Sequence, residues 1–183
     1  MTMFAYGLLP QGSLPPCFII KANAEGAGKT LLVKTIISSV LGRFTAGVKP
    51  NNDEEVRKFL TAAVMEGRLY VVYDNVKDNL NSPALEGFLT APEWSDRILG
   101  SSKNFSAEKF TVVFITGNNC AVSPDMRRRS LVVDLFMKEE RAEARTFTHE
   151  LEAYVRANRA KIYAALWTLV QAWDTVNHED CHR

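Results

Sequence analysis

What this sequence lacks narrows the field first. No apolar run approaches the ~18 residues that a bilayer-spanning helix needs. Residues 1–12 have neither the basic start nor the long apolar stretch of a secretory leader. Cysteine is scarce. Cys17, Cys120 and Cys181 are odd in number and far apart, which argues for free thiols and a reducing, cytoplasmic compartment. Charge is nearly balanced at +1, so nothing draws the whole chain to nucleic acid or a membrane surface. Any contact with DNA has to come from a local patch. No internal repeat or low-complexity tract interrupts the chain. What is present is an apolar content of 46% in 183 residues, which suits one globular domain with at most a small appendage.

The pattern along the chain is one of alternating elements. Residues 1–16 are punctuated by proline and glycine and read as an arm over the surface. Cys17 to Ala22 reads as a short buried strand. A helix is expected from Gly28 to Leu41, stopped by Gly42. "RFTAGV" is a weak strand candidate. Asn52 is placed to cap a helix whose first turn holds Asp53, Glu54 and Glu55. Val56, Phe59, Leu60, Ala63 and Val64 share one face of that helix, and Gly67 closes it. Leu69 to Tyr73 is a second strand, ending at Asp74. Ser82-Pro83 opens another helix. Phe110 to Thr116 and Leu131 to Phe136 complete four strands. Continuously apolar strands separated by helices predict an α/β fold with a mainly parallel sheet sandwiched by helices. From residue 141 the pattern turns helical. Thr148 is placed to cap a helix through Val155, and a second helix carries Ile162, Leu166, Leu169 and Trp173. The organisation expected is an arm over 1–16, a core over 17–140 and a helical appendage over 141–183. The tail offers His178, Cys181 and His182 as metal ligands, but its place at the end reads as a frayed terminus.

The stretch "CFIIKANAEGAGKTLLVK" carries the most chemistry. A phosphate-binding loop needs a strand that delivers the chain, a turn with inward N–H groups, and a helix start facing the phosphates. All three are predicted here. The usual pattern is G-x-x-x-x-G-K-[ST], whose first glycine falls on Asn23, a residue that tolerates positive φ. Gly26, Ala27 and Gly28 permit close backbone approach, and the loop leads through Lys29 and Thr30 into Leu31. Lys29 would reach the β- and γ-phosphates of ATP, and Thr30 would bind Mg²⁺.

Other strand ends converge on the same chemistry. Asp74, at the tip of "LYVVY", is where a Mg²⁺-binding carboxylate belongs. It is equally the acid that strand-end turns favour. "TGNN" puts the amides of Asn118 and Asn119 at the corresponding edge of the sheet, where α/β folds bind ligands. Arg127, Arg128 and Arg129 precede the fourth strand. Such a run is most often a solvated loop. Near a phosphate site it reads as a source of arginine fingers.

Taken together, these motifs resemble the AAA+ ATPase domain of phage- and plasmid-type primase-helicases, close to the superfamily three helicases. The matching stretches are "ANAEGAGKT", "LYVVYDNV", "LTAPEWSDRILGSS", "TVVFITGNN", "DMRRRSLVVDL" and "YVRANRAKIYAALWTLVQAW". That group often lacks the first loop glycine. The resemblance implies a P-loop NTPase that binds and hydrolyses ATP with Mg²⁺. Lys29 and Thr30 match the Walker A pair, Asp74 the Walker B carboxylate and Asn118 the sensor residue. Arg128 and Arg129 match paired arginines, at least one a finger directed at a neighbouring subunit's nucleotide. A homo-oligomeric ring, such as a hexamer, acting on single-stranded or forked DNA is implied, with no membrane partner. Arg97 falls in a recurring Asp-Arg-x-Leu-Gly element of unassigned role. Residues 101–109 fall where this group carries a DNA-tracking hairpin, which would bring Lys103 or Lys109 to the strand. Both also read as ordinary surface lysines.

Two departures stand out. Many AAA+ enzymes have Glu after the Walker B Asp, and here it is Asn75, which cannot accept a proton. Glu54, Glu55 and Glu86 are the carboxylates expected to replace it; without one, hydrolysis slows. The chain also begins close to its first strand, as a fragment or a stand-alone motor remnant would. The rival readings are a non-catalytic nucleotide-binding module and a small-molecule kinase. The kinase fits the "TGNN" strand end and the long segments between strands poorly.

Overall fold

The structure is a computed structural model that describes residues 1–49, 52–76, 81–97, 103–118, 120, 122–137 and 147–180, with side chains in the last helix as far as residue 175. A four-stranded sheet forms its centre, built from β1 (Cys17–Ala22), β2 (Tyr70–Val76), β5 (Val112–Asn118) and β6 (Ser130–Leu135). The order is β2-β5-β1-β6 and every pairing is parallel. Strand residues alternate between two apolar layers, as a period of two requires. Ile19, Val71, Tyr73 and Ile115 face α3 (Asp53–Met65) and α4 (Pro83–Thr90). Ile20, Val72 and Phe114 face α2 (Lys29–Leu41), which buries Val33 and Ile37 one turn apart. Each fully buried Leu or Phe, such as Leu60 or Phe88, contributes about 2–3 kcal/mol.

Local chemistry sets the helix starts. The Asn52 side chain accepts the Glu55 N–H at 2.9 Å, and the Ser82 hydroxyl accepts that of Leu85 at 3.1 Å, as expected for caps. Asp53 accepts from the Ser82 hydroxyl and, at 3.1 Å, from the Ala84 N–H, which ties the starts of α3 and α4 together.

Several expectations need correction. "RFTAGV" forms no strand; only Val48 bridges to Tyr73, in parallel. The second strand runs past Asp74 to Val76 through an irregularity, with Asn75 at φ 53°. The strand expected over 110–116 is shifted to Val112–Asn118. A hairpin of β3 (Glu93–Arg97) and β4 (Asn104–Glu108) was not expected from periodicity. Its strands alternate too briefly to stand out. The sheet is not covered on both faces throughout: β6 leaves Leu131, Val132 and Val133 exposed. The two C-terminal helices expected are one, α6 (Leu151–Asp180), about 45 Å long. Its first N–H groups are capped by the carboxylate of Glu150 (to Glu152 and Ala153), not by Thr148. Val155 and Val170 are buried, while Leu169 and Trp173 of the predicted stripe are exposed.

α6 lies along α2. Arg159 and Tyr163 both donate to the carbonyl of Val40, and Lys34 pairs with Glu152. The N-terminal arm covers this seam, with Phe4 edge-on to Tyr163 at 5.2 Å. Among the described residues no helix is long and apolar enough to cross a membrane.

Candidate functional site

Three parallel strands, β1, β2 and β5, end at one edge of the sheet, and the start of α2 faces them. Between them lies a cavity of about 450 Å³. Its floor is built from the glycine-rich loop. Gly28 caps α2 at φ 90°, a left-handed conformation that strains any residue with a Cβ. This aims the first N–H groups of α2 at the cavity.

Five polar side chains are fixed there. Lys29 is only 9% exposed, and its Nζ donates to Asn118 Oδ1 at 2.6 Å. The hydroxyls of Thr30 (2.7 Å) and Thr116 (2.6 Å) converge on one oxygen, Asp74 Oδ1. Thr116 Oγ1 accepts the Asn75 N–H at 2.9 Å, so one buried hydroxyl fixes both the carboxylate and the irregular turn that carries it.

The donor set fits a hard divalent cation bound together with an anion. Adjacent oxygens of an octahedral Mg²⁺ shell lie about 2.9 Å apart. The Thr30 and Asp74 oxygens lie at 2.7 Å. Among the described residues no group of three His, Cys, Asp or Glu side chains could hold a metal unaided.

Of the residues singled out in the sequence, Gly26, Gly28, Lys29, Thr30, Leu31, Asp74, Asn75 and Asn118 line this one cavity. Ala27 instead packs under the loop, against Ala22 and Met137. Asn23 does not take the positive φ expected of it. Its amide forms two bonds with the Met137 backbone, at 2.9 and 2.8 Å. It pins the loop to the chain beyond β6, a task a glycine could not perform.

Other residues lie elsewhere. Arg127, Arg128 and Arg129 precede β6, whose Ser130 pairs with Cys17 at the far end of β1. They therefore sit a strand's length, about 20 Å, from the cavity. Being near a phosphate site within one chain is excluded for them. Arg128 and Arg129 both pair with Asp125, and hydrogen bonding from Arg128, then the charge of Arg129, hold its carboxyl below its usual range. Glu54 pairs with Lys58 and Glu86 accepts from the Ser123 hydroxyl; neither lines the cavity, and nor does Glu55. Asn119 and the metal-ligand candidates Cys181 and His182 lie outside the described residues, as does the side chain of His178.

The hairpin separates the two candidate lysines. Lys103 is exposed just before β4. Lys109 is no surface lysine: it is 2% exposed, with Nζ over the Phe88 ring at 4.6 Å, and burial pushes its amine down to about 8. Arg97 is exposed, and its neighbour Asp96 does the work in that element. The Asp96 carboxylate accepts from Arg57, from Thr61 at 2.6 Å and from the Arg97 N–H at 2.7 Å. Trp94 donates to the same Thr61 hydroxyl at 2.9 Å. The hairpin is thereby bolted to α3.

The sequence reading missed Glu25, Lys49 and Thr116, all of which line the cavity. Thr116 lay in a quoted motif and gave a signal as the polar end of an apolar strand. Lys49 gave none, because only tertiary pairing brings it there.

No family model matches the chain, and no curated protein matches it. Solved structures do. The A form apo structure of the NrS-1 C terminal region is 18% identical, with a TM-score of 0.52, over 78% of this chain and 34% of that one. The apo structure of the same region, 305–718, is 18% identical, with a TM-score of 0.47, over 78% and 35%. The chain spans about a third of the length of the structures it matches, and the likeness concerns the fold alone.

Proposed function

We propose that this chain is an ATP-binding P-loop NTPase core of the AAA+ type, resembling the motor of phage- and plasmid-type primase-helicases. The observation that carries the reading is the convergence of Thr30 and Thr116 on Asp74 Oδ1, with Lys29 Nζ held by Asn118, above a left-handed Gly28. Lys29 and the N–H groups around Gly26 and Gly28 would hold the phosphates, and Thr30 and Asp74 would hold Mg²⁺. When bound, Mg²⁺ supplies Lewis-acid charge at the phosphoryl oxygens. Asn118 orients Lys29. Thr116 orients Asp74.

A ring of copies is part of the proposal. Arg128 and Arg129 are too far from their own cavity to serve it, and exposed β6 stands beside them. A head-to-tail contact would bring one copy's arginines to the next copy's nucleotide. The hairpin, with Lys103 beside its turn, would face a DNA strand within the ring. With a net charge of +1, such binding would be local and strongly salt-dependent.

A second reading, a nucleotide-binding module with little turnover, is favoured by Asn75. It stands where a water-orienting Glu would be, and among the described residues Glu25 is the other carboxylate at the cavity besides Asp74. One experiment separates these readings. ATP binding is measured with and without Mg²⁺, followed by phosphate release with and without single-stranded DNA, on parent and Lys29→Ala protein. The motor reading expects binding, DNA-stimulated release and loss of both in the variant. Binding without release over hours leaves the module. Equal ATP affinity in the parent and Lys29→Ala defeats the phosphate-loop assignment.

A further inference from the structure

We infer that Lys49 is a second lysine of the nucleotide site, and that it distinguishes a nucleoside triphosphate from a diphosphate. The inference rests on the nucleotide reading above and names a residue that carries its specificity.

The cavity has two unlike walls. One is the loop, with Gly26, Gly28 and Lys29. The other is the end of β2, with Asp74 and Asn75. Lys49 belongs to the second wall, and the backbone puts it there. The Val48 N–H donates to Val72 O at 2.9 Å, and Val48 O accepts the Asp74 N–H at 3.1 Å. Lys49 thus follows directly on the residue that is bonded to the amide of Asp74. Gly47 makes the approach possible. A Cβ there would meet Asp74 Cβ at 2.8 Å and Val72 O at 2.9 Å, closer than real Cβ contacts come. Gly47-Val48-Lys49 is therefore an edge segment packed tightly on β2, with a cation at its end.

Charge then decides what that cation is for. Among the described residues the cavity is lined by two lysines, Lys29 and Lys49, and two carboxylates, Glu25 and Asp74. Lys29 is buried and already held by Asn118. A diphosphate seated on the loop wall has its charge beside Lys29. A third phosphoryl group brings further negative charge to the Asp74 wall, where Mg²⁺ held by Thr30 and Asp74 would offset only part of it. The three arginines stand a strand's length away, so among the described residues of one chain Lys49 is the cation that lines that wall. Its long exposed stem lets the ammonium follow a phosphate as a point charge. A charge pair of this kind, between water-like and protein-surface dielectric, is expected to change affinity roughly ten- to hundredfold.

The test is a titration with ADP and with a β,γ-imido ATP analogue, both with Mg²⁺, into parent, Lys49→Ala and Lys49→Arg proteins. The expected result is at least a tenfold loss of affinity for the imido analogue in Lys49→Ala, with ADP affinity within twofold of the parent. Lys49→Arg should keep most of the preference. An equal loss for both nucleotides, or none for either, overturns the assignment and leaves the nucleotide reading standing. A parent that binds neither nucleotide overturns both.

Discussion

Thr116 and Asp74 meet in a single hydrogen bond of 2.6 Å, the hydroxyl donating to the carboxylate oxygen that Thr30 also approaches. Thr116 is fully buried. Its hydroxyl sets where the carboxylate of Asp74 points. Partners of this kind typically change metal affinity 10- to 100-fold. Thr116→Val keeps the shape and removes the hydroxyl. It should weaken Mg²⁺-dependent nucleotide binding by about tenfold or more. Metal-free nucleotide binding should hardly change, because Lys29 and the loop are untouched. A calorimetric titration at several Mg²⁺ concentrations checks this, and an unaltered Mg²⁺ requirement would defeat the role assigned to Thr116.

Asp96 governs the hairpin. Its side chain is only 8% exposed, against 54% for its partner Arg57. Burial pushes its carboxyl up, but the hydrogen bonds from Arg57, Thr61 and the Arg97 N–H outweigh burial and leave it below its usual value. A depressed carboxylate stabilises the fold above its unfolded pKa, and the effect is lost as pH falls through the folded pKa. Asp96→Asn should therefore cost about 1–3 kcal/mol at pH 7, read from urea midpoints, and the deficit should shrink below pH ~4. A deficit that stays constant down to pH 2 would mean that the charge contributes nothing.

Lys109 makes the opposite prediction. Burial lowers its amine from 10.5 to about 8. Between those values the unfolded chain holds a proton that the folded chain has lost, so stability rises with pH in that window. Lys109→Met should be more stable than the parent at pH 7, by at most about 3 kcal/mol. The gain should be smaller than that, because the Phe88 ring stabilises the ammonium by about 1–2 kcal/mol. It should fade towards pH 10.5. A variant that is less stable at pH 7 would show that the ring contact outweighs burial.

The core and the loop were legible in the sequence because their signals are local. Apolar strand runs, the caps Asn52 and Ser82, and Gly-Lys-Thr at a helix start each lie within a few residues. What was not legible depends on contacts across the fold. Lys49 reaches the cavity only because Gly47 lets its segment pack on β2. Lys109 looks like any surface lysine until Phe88 covers it. The C-terminal break expected near Val155 is bridged because α2 supports one long helix through Val40 and Lys34. The arginines announced their chemistry in sequence, but their distance from the cavity follows from the strand order, which no local pattern encodes.

That distance yields the last prediction. Arg128 and Arg129 stand at the end of the sheet opposite to Lys29, so they cannot act on the nucleotide of their own chain. If they are fingers, they act on a neighbour's. Their present bonds to Asp125 are surface ion pairs, which a phosphate could displace at small cost. A finger stabilises charge in the transition state and can be worth ~10³-fold or more in rate, while adding little to ground-state binding. Arg128→Ala and Arg129→Ala should each bind ATP normally, and at least one should lose nearly all turnover. Mixing that inactive variant with inactive Lys29→Ala should restore activity. In mixed oligomers some boundaries pair an intact loop from the first with an intact arginine from the second. Phosphate release from the mixture, with assembly followed by light scattering, is the measurement. Mixed oligomers that form and stay inactive would exclude fingers acting between subunits. A chain that never assembles should hydrolyse ATP barely above background, however well its loop is built.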